Sequence, residues 1–276
     1  MPGKYAISPN EARLMDTETL RHHFLFDNLL QQGACNMVYT HYDRMVIGGA
    51  LPTTQAVELL LIDDLKAGYF LERREIGIIN VGGPGVVTAN DHQYNMEKLD
   101  CLYLGKGTKN VTFKSSNNIQ PALYFLLSCP AHQIMPNTLM TREQATPAHM
   151  GDSETSNKRT IYKYIHDDGI ASCQLVMGLT LLQPGSVWNT MPAHTHDRRM
   201  EAYFYFDVQP GQGVFHLMGL PNQTRHLVIN NNQAVVSPPW SIHAGCGTSN
   251  YSFIWGMAGE NKAFTDMDAV AIADLQ

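Results

Sequence analysis

The chain has 276 residues, of which 19 are basic and 25 acidic, giving a formal net charge of −6. With no basic tract to neutralise phosphates, nucleic acid is excluded as an expected partner. The length admits one large or two ordinary domains with sizeable cores.

The first residues include charged Lys4, Glu11 and Arg13, and they contain no apolar core long enough for a signal peptide. No later apolar run approaches membrane-spanning length, so no membrane association is expected and the cytoplasm is the expected compartment. Five cysteines, Cys35, Cys101, Cys129, Cys173 and Cys246, are scattered without a C-x-x-C, which fits a reducing compartment.

Helical signals are confined to the ends. Ser8-Pro9-Asn10-Glu11 reads as a cap before a helix through about Leu20, and Asp16-Thr17-Glu18-Thr19 can start a further turn. Strand-like segments dominate from about Met37: Met37–Val46, Tyr69–Phe70, Ile76–Val81, Val86–Thr88, Cys101–Leu104, Val111–Phe113 and Leu123–Leu127, with Gly, Pro and Asn between them. The second half repeats the style in Gln174–Leu182, Glu201–Phe206, Val214–Met218, His226–Val228, Ala234–Val236 and Tyr251–Trp255. Many short strands with turn chemistry predict an all-β sandwich or barrel.

The halves resemble copies of one another. Glu72-Arg73-Arg74-Glu75 parallels Asp197-Arg198-Arg199-Met200-Glu201, and Asp100–Gly105 parallels Ala234–Pro238. The expected organisation is a barrel over residues 1–130, a Pro- and polar-rich linker over 131–160, and a second barrel over 161–276. Histidines beside the repeated element occur only in the second copy, so the first is expected to hold no metal and to serve packing or assembly.

The chemistry-bearing segment is His194-Thr195-His196-Asp197-Arg198-Arg199-Met200-Glu201, followed by Pro238-Pro239-Trp240-Ser241-Ile242-His243. Two histidines two residues apart on a strand face the same side and can converge on one cation. Glu201 has the opposite parity and joins them only if the chain turns across Asp197 to Arg199. Three neutral imidazoles and a carboxylate suit Zn, Fe, Mn, Ni or Cu. Arg198 shares the parity of the two histidines and could pair with a substrate carboxylate, while a solvated turn is its other reading. Tyr203 and Tyr205 follow at period two and should line one face. Trp188 and Trp240 flank the ligand segments and are expected to wall the cavity. His216 and His226 are further possible bases.

This spacing resembles the metal motifs of the cupins, in which glycine, H-x-H and Glu form one motif and a proline-led segment ending in His forms the next. Gly185, His194, His196 and Glu201 match the first. Pro238 and His243 match the second, with Trp240 where glycine is usual. The implied fold is two cupin-type barrels in one chain.

A closer resemblance runs through Tyr69-Phe70-Leu71-Glu72-Arg73-Arg74-Glu75, Thr155–Ile161, Trp188–His196 and Phe253–Met257, which look like the 5-keto-4-deoxyuronate isomerase family. The resemblance implies conversion of 5-dehydro-4-deoxy-D-glucuronate to 3-deoxy-D-glycero-2,5-hexodiulosonate in pectin breakdown. It also implies one zinc per subunit on His194, His196, Glu201 and His243, and a homo-hexamer. Glu201, Arg198 and Tyr203 are the expected catalytic group for an enediol mechanism acting on a small ketouronate. A metal-dependent dioxygenase and a non-enzymatic sugar-binding protein remain open on the same scaffold.

Overall fold

The computed structural model describes residues 2–276, and almost all regular structure is β. The chain divides into two compact units. Of the described residues, the first comprises 2–4, 28–146 and 163–177, and the second comprises 5–27, 147–162 and 178–276.

The first unit carries a six-stranded sheet in the spatial order Thr138–Met140, Cys101–Leu104, Arg74–Asn80, Tyr124–Pro130, Val46–Leu51, Ala34–Tyr39. A four-stranded sheet follows the order Val57–Glu58, Val111–Ser115, Gly85–Ala89, His92–Met96. Apolar side chains of both sheets, among them Ile76, Ile78, Leu102, Val87, Val111 and Phe113, share one buried cluster. Alternation explains this packing. Val111, Phe113 and Ser115 turn inward while Lys114 between them is exposed, as period two requires.

The second unit repeats the plan. Its larger sheet runs Leu25–Phe26, Gln233–Ser237, Arg199–Phe206, Ser252–Gly259, Val176–Leu182, Arg159–Ile165, Pro147–Met150. Its four-stranded sheet runs Trp188–Asn189, Ala244–Gly247, Val214–Leu220, Gln223–Ile229. A two-stranded pairing joins His194–Thr195 to Asp268–Ala269. The central strands of the two units begin at the second arginine of an Arg-Arg pair. Arg74 sits opposite Pro130 and Arg199 opposite Gly259, each neighbour being the end of its strand. In that register Ile76 takes the place of Glu201, and Ile78 the place of Tyr203.

The internal repeat expected from the sequence therefore exists as matching strand order, but the contiguous division at 130 and 160 does not describe the units. Residues 5–27 belong to the second unit and 163–177 to the first. The segment read as a linker contains Thr138–Met140 paired to Cys101–Leu104 and Pro147–Met150 paired to Arg159–Ile165. Its prolines lie at strand ends and sheet edges, where the missing N–H costs no ladder bond.

The amino-terminal helix is two helices. Ser8 and Glu11 form a reciprocal capping box on Pro9–Ala12, and Asp16 caps Thr17–Phe24. Between them the Arg225 guanidinium collects the carbonyl oxygens of Ala12, Arg13 and Met15, which replaces the hydrogen bonds a continuous helix would have made. The run Met37–Val46 likewise splits, because Asp43 and Arg44 adopt positive φ (46° and 54°) and turn the chain into a hairpin. Tyr69–Phe70 lies in a turn rather than a strand. Among the described residues, no helix is long and apolar enough to cross a membrane.

Candidate metal centre and active-site cavity

Each ligand candidate is placed by a separate piece of backbone. His194 stands on the short strand His194–Thr195, and His196 follows it. The chain then turns, with the Arg199 N–H donating to the His196 carbonyl at 2.9 Å, before entering the strand that carries Glu201. This turn reconciles the opposite parity of His196 and Glu201. Glu201 is paired across the sheet with Ser237 and Met257. His243 arrives just before the strand Ala244–Gly247.

One nitrogen or oxygen from each of His194, His196, Glu201 and His243 lies within 4.8 Å of the others, and all four residues are buried. His243 Nε2 is 2.9 Å from His194 Nε2 and 2.9 Å from Glu201 Oε2. His196 Nε2 is 3.1 Å from the same Glu201 oxygen. Lone pairs packed this closely in a buried place need a shared proton or a cation between them, and the donor set could hold a metal ion.

The outer nitrogens support that use. His196 Nδ1 faces the carbonyl oxygen of Asp266 at 2.8 Å, an acceptor only, so Nδ1 carries a proton, as the outer nitrogen of a metal-binding histidine does. His243 Nδ1 lies 3.2 Å from Ser237 Oγ. Burial, reinforced by the neighbouring His243 imidazole, pushes the His194 pKa down to about 3 and keeps that ring neutral. Burial draws the Glu201 carboxyl upward, but the imidazoles of His243 and His196 and their hydrogen bonds outweigh it and hold it well below the usual carboxylate range. His194 is thus a neutral imidazole and Glu201 a carboxylate, the protonation states that metal binding requires.

The group opens on a cavity of about 160 Å³. One wall is polar: His194, His196, Glu201, Tyr203, Thr180, Asn189, Thr190 and Arg159. The other is apolar, built from Met150, Ile161, Phe253, Trp255, Met257, Phe264 and Met267. The Tyr203 hydroxyl hydrogen-bonds the Glu201 carboxylate, and burial raises the tyrosine's pKa well above its ordinary value, so it acts as a donor. Arg159 gives one bond, from Nη1 to the Asn157 carbonyl at 2.9 Å, while its Nε is buried with no partner.

A family model described as the KduI/IolB family matches residues 24–273. A protein of Shouchella clausii named 4-deoxy-L-threo-5-hexosulose-uronate ketol-isomerase is 55% identical over 273 residues, covering 99% of each chain. A protein of the same name from Bacillus subtilis is 51% identical over 276 residues, covering 100% of each.

The chain belongs to the KduI/IolB family.

Solved structures agree on architecture. An IolB-like protein from Salmonella typhimurium superposes with a TM-score of 0.74 at 15% identity, over 90% of this chain and 96% of that one. Oxalate decarboxylase from Bacillus subtilis gives 0.56 at 10% identity, over 81% and 71%. At such identities the likeness shows the fold alone.

Within this KduI/IolB chain several expected residues fall elsewhere. Arg198 turns away from the cavity: its Nε donates to both Asp266 carboxylate oxygens at 2.9 Å, and its Nη2 reaches Asp268 at 2.9 Å. Arg199 is fully buried and donates to the carbonyls of Ala263 and Asp266 at 2.7 and 2.6 Å. Trp188 and Trp240 are absent from the cavity lining, where Trp255 stands instead. Trp240 Nε1 bonds the Ile7 carbonyl. His216 lies buried behind Tyr203, and His226 is exposed on the outer hairpin.

Two contributors escaped the sequence reading. Arg159 sits in the segment read as linker, although Thr155–Ile161 is one of the motifs carrying the family resemblance. Asp266 acts through its main chain, which no side-chain pattern reveals.

Proposed function

We propose that this chain is a 4-deoxy-L-threo-5-hexosulose-uronate ketol-isomerase, converting 5-dehydro-4-deoxy-D-glucuronate to 3-deoxy-D-glycero-2,5-hexodiulosonate with one zinc ion per chain. The observation that carries this reading is the buried His194, His196, Glu201 and His243 group opening on the same cavity as Arg159, a half-buried arginine whose buried Nε is an unused donor. An anionic aldose needs both ends of such a site.

His194, His196, Glu201 and His243 would hold the metal. Bound there, it would supply Lewis acidity to the carbonyl and neighbouring hydroxyl oxygens as charge develops on them. Arg159 takes the substrate carboxylate through its free Nε–H, a charge-assisted bond that fixes which end of the sugar faces Glu201. The Glu201 carboxylate accepts the proton from the hydroxyl-bearing carbon and returns it to the adjacent aldehyde carbon, completing the shift from aldose to ketose. Tyr203 keeps its proton and steadies the carboxylate through the transfer. The apolar wall excludes water, which strengthens each of these contacts. The hydroxyl proton lost at one oxygen is matched by the one gained at the other, so no net proton leaves the site.

The test is incubation of the protein with the ketouronate under nitrogen, following loss of the aldehyde signal by NMR, together with elemental analysis. Anaerobic turnover with one zinc per chain is the expected result. A requirement for dioxygen, or full turnover in protein stripped of metal, would overturn the reading.

A further inference from the structure

Behind the metal group, between the two sheets of the second unit, lies a column of buried polar aromatics that the isomerase chemistry does not use. The Tyr205 hydroxyl and His216 Nδ1 are hydrogen-bonded at 2.7 Å. His216 Nε2 is buried without a partner, and so is the Tyr251 hydroxyl. His216 is paired across the sheet with Gly245. A Cβ at position 245 would stand 2.6 Å from the Tyr251 hydroxyl and 3.2 Å from that of Tyr205, so only glycine leaves room for both. The His216 ring meets Tyr203 edge-on at 5.7 Å, and Tyr203 in turn meets His243 at 5.4 Å and Phe253 at 5.1 Å.

The first unit builds the same place without a histidine. At the place of Tyr203 it has Ile78, and in the same register Ala122 stands where the second unit has Tyr251. The strand Gly85–Ala89, matching Val214–Leu220, has Gly85 at the place of His216, since Ala89 pairs with His92 as Leu220 pairs with Gln223. Buried Asn80 stands at the place of Tyr205, and its amide is satisfied, donating to the Gly83 and Met96 carbonyls and accepting from the Gly82 and Leu123 N–H groups. The second unit instead leaves His216 Nε2 and the Tyr251 hydroxyl unpaired, and each buried unsatisfied group costs roughly 1–3 kcal/mol. Unsatisfied polar groups retained at that cost point to service to the neighbouring site.

We infer that His216 is a positioning residue for the isomerisation: by holding Tyr205 it fixes the neighbouring Tyr203 ring so that its hydroxyl stays on Glu201. Tyr205 lies one pleat beyond Tyr203 on the same face, with ring centroids 6.1 Å apart, and His216 touches both rings. If His216 is removed, the Tyr205 hydroxyl loses its hydrogen-bond partner and must move. Tyr203 then loses two of the rings that fix its tilt. This inference rests on the isomerase reading for its kinetic arm, whereas its metal-affinity arm stands without it.

The experiment compares His216→Val, His216→Asn and Tyr205→Phe with the unaltered protein, first in chelator competition on stripped protein and then in turnover of the ketouronate. His216→Val and Tyr205→Phe are each expected to weaken zinc binding by roughly tenfold, the lower end of what loss of ligand-supporting contacts gives, and to lower kcat about as much with KM unchanged. The double variant should be no worse than His216→Val, because both remove one link. His216→Asn, whose side-chain oxygen can still accept from Tyr205, should recover most of both. Zinc affinity and kcat within twofold of the unaltered protein in His216→Val would overturn the inference. If that variant fails to fold, Tyr205→Phe, which deletes a single hydroxyl, decides by the same criteria. No turnover by the unaltered protein would refute the isomerase reading and leave the affinity comparison to judge His216.

Discussion

His196 and Asp266 are joined through the main chain: the carbonyl oxygen of Asp266 accepts from His196 Nδ1 at 2.8 Å, and Arg199 Nη2 donates to the same oxygen at 2.6 Å. A residue seventy positions downstream thus orients the ring of a ligand candidate. The Asp266 carboxylate is bound separately, by Arg198 and by Asn261 Nδ2 at 2.6 Å. Arg198 therefore ties down the loop that bears Phe264 and Met267 on the cavity wall.

From this arrangement Arg159 and Arg198 should behave differently. Arg159→Ala is expected to lower kcat/KM on the ketouronate by ten- to a hundredfold, the loss of one charge-assisted bond of roughly 1.5–3 kcal/mol, with zinc retained. Arg198→Ala should lower it by less than about threefold. Steady-state kinetics with zinc analysis of both variants checks this. A larger loss in Arg198→Ala than in Arg159→Ala would return the carboxylate anchor to Arg198.

His196→Ala should abolish stoichiometric zinc and reduce turnover by several orders of magnitude, because three remaining donors hold the ion weakly and the Glu201 carboxylate loses a partner. Zinc should also cease to raise the melting temperature, since only binding to the folded state stabilises it. Elemental analysis should find one equivalent in the unaltered protein. A second equivalent that survives His196→Ala would contradict the expectation that the first unit holds no metal.

Acid should destabilise the stripped protein through its buried histidines. Burial holds both His194 and His216 at about 3, against an ordinary value of 6.5. The unfolded chain therefore binds protons that the folded one refuses. Their contribution is complete above pH 6.5 and is lost as the pH falls toward 3, at about 1.4 kcal/mol per pH unit for each ring. Urea midpoints should drop steadily between about pH 6.5 and 5.5, before most carboxylates begin to titrate. Flat midpoints across that window would show that these rings protonate without unfolding.

Glu75 anchors the first unit. It is fully buried and accepts from the Tyr103 hydroxyl at 2.6 Å and from the N–H groups of Cys173, Gln174 and Leu175 at 2.7, 2.8 and 2.8 Å. Glu75→Ala leaves four donors, two of them fully buried, without their acceptor and should cost on the order of 3–5 kcal/mol in urea unfolding, with Glu75→Gln distinctly milder because one oxygen still accepts. Equal losses in the two variants would mean that cavity formation, not hydrogen bonding, sets the cost.

The legible part of this chain was the part with short-range grammar. H-x-H fixed a shared face, and the parity break to Glu201 required the turn that Arg199 and His196 make. The matching arginine pairs disclosed the repeat. What stayed hidden depends on distant pairing. Short edge strands such as Pro147–Met150 carry no periodicity of their own and exist because Arg159–Ile165 offers them a partner. Arg198 misled because its parity was right along the strand, whereas Asp266 and Asp268, which claim it, lie about seventy residues away.

The interleaving of the two units bears on how the protein is made. Residues 163–177 complete the first unit although the stretch translated just before them, 147–162, belongs to the second, and residues 5–27 wait for partners such as Gln233–Ser237. A nascent chain emerging in order therefore cannot finish its first unit when residue 146 leaves the ribosome, and its amino-terminal arm stays unclaimed until the chain is nearly complete. No single cut yields a self-sufficient half, so truncated products of this chain should be cleared as misfolded rather than persist as working pieces.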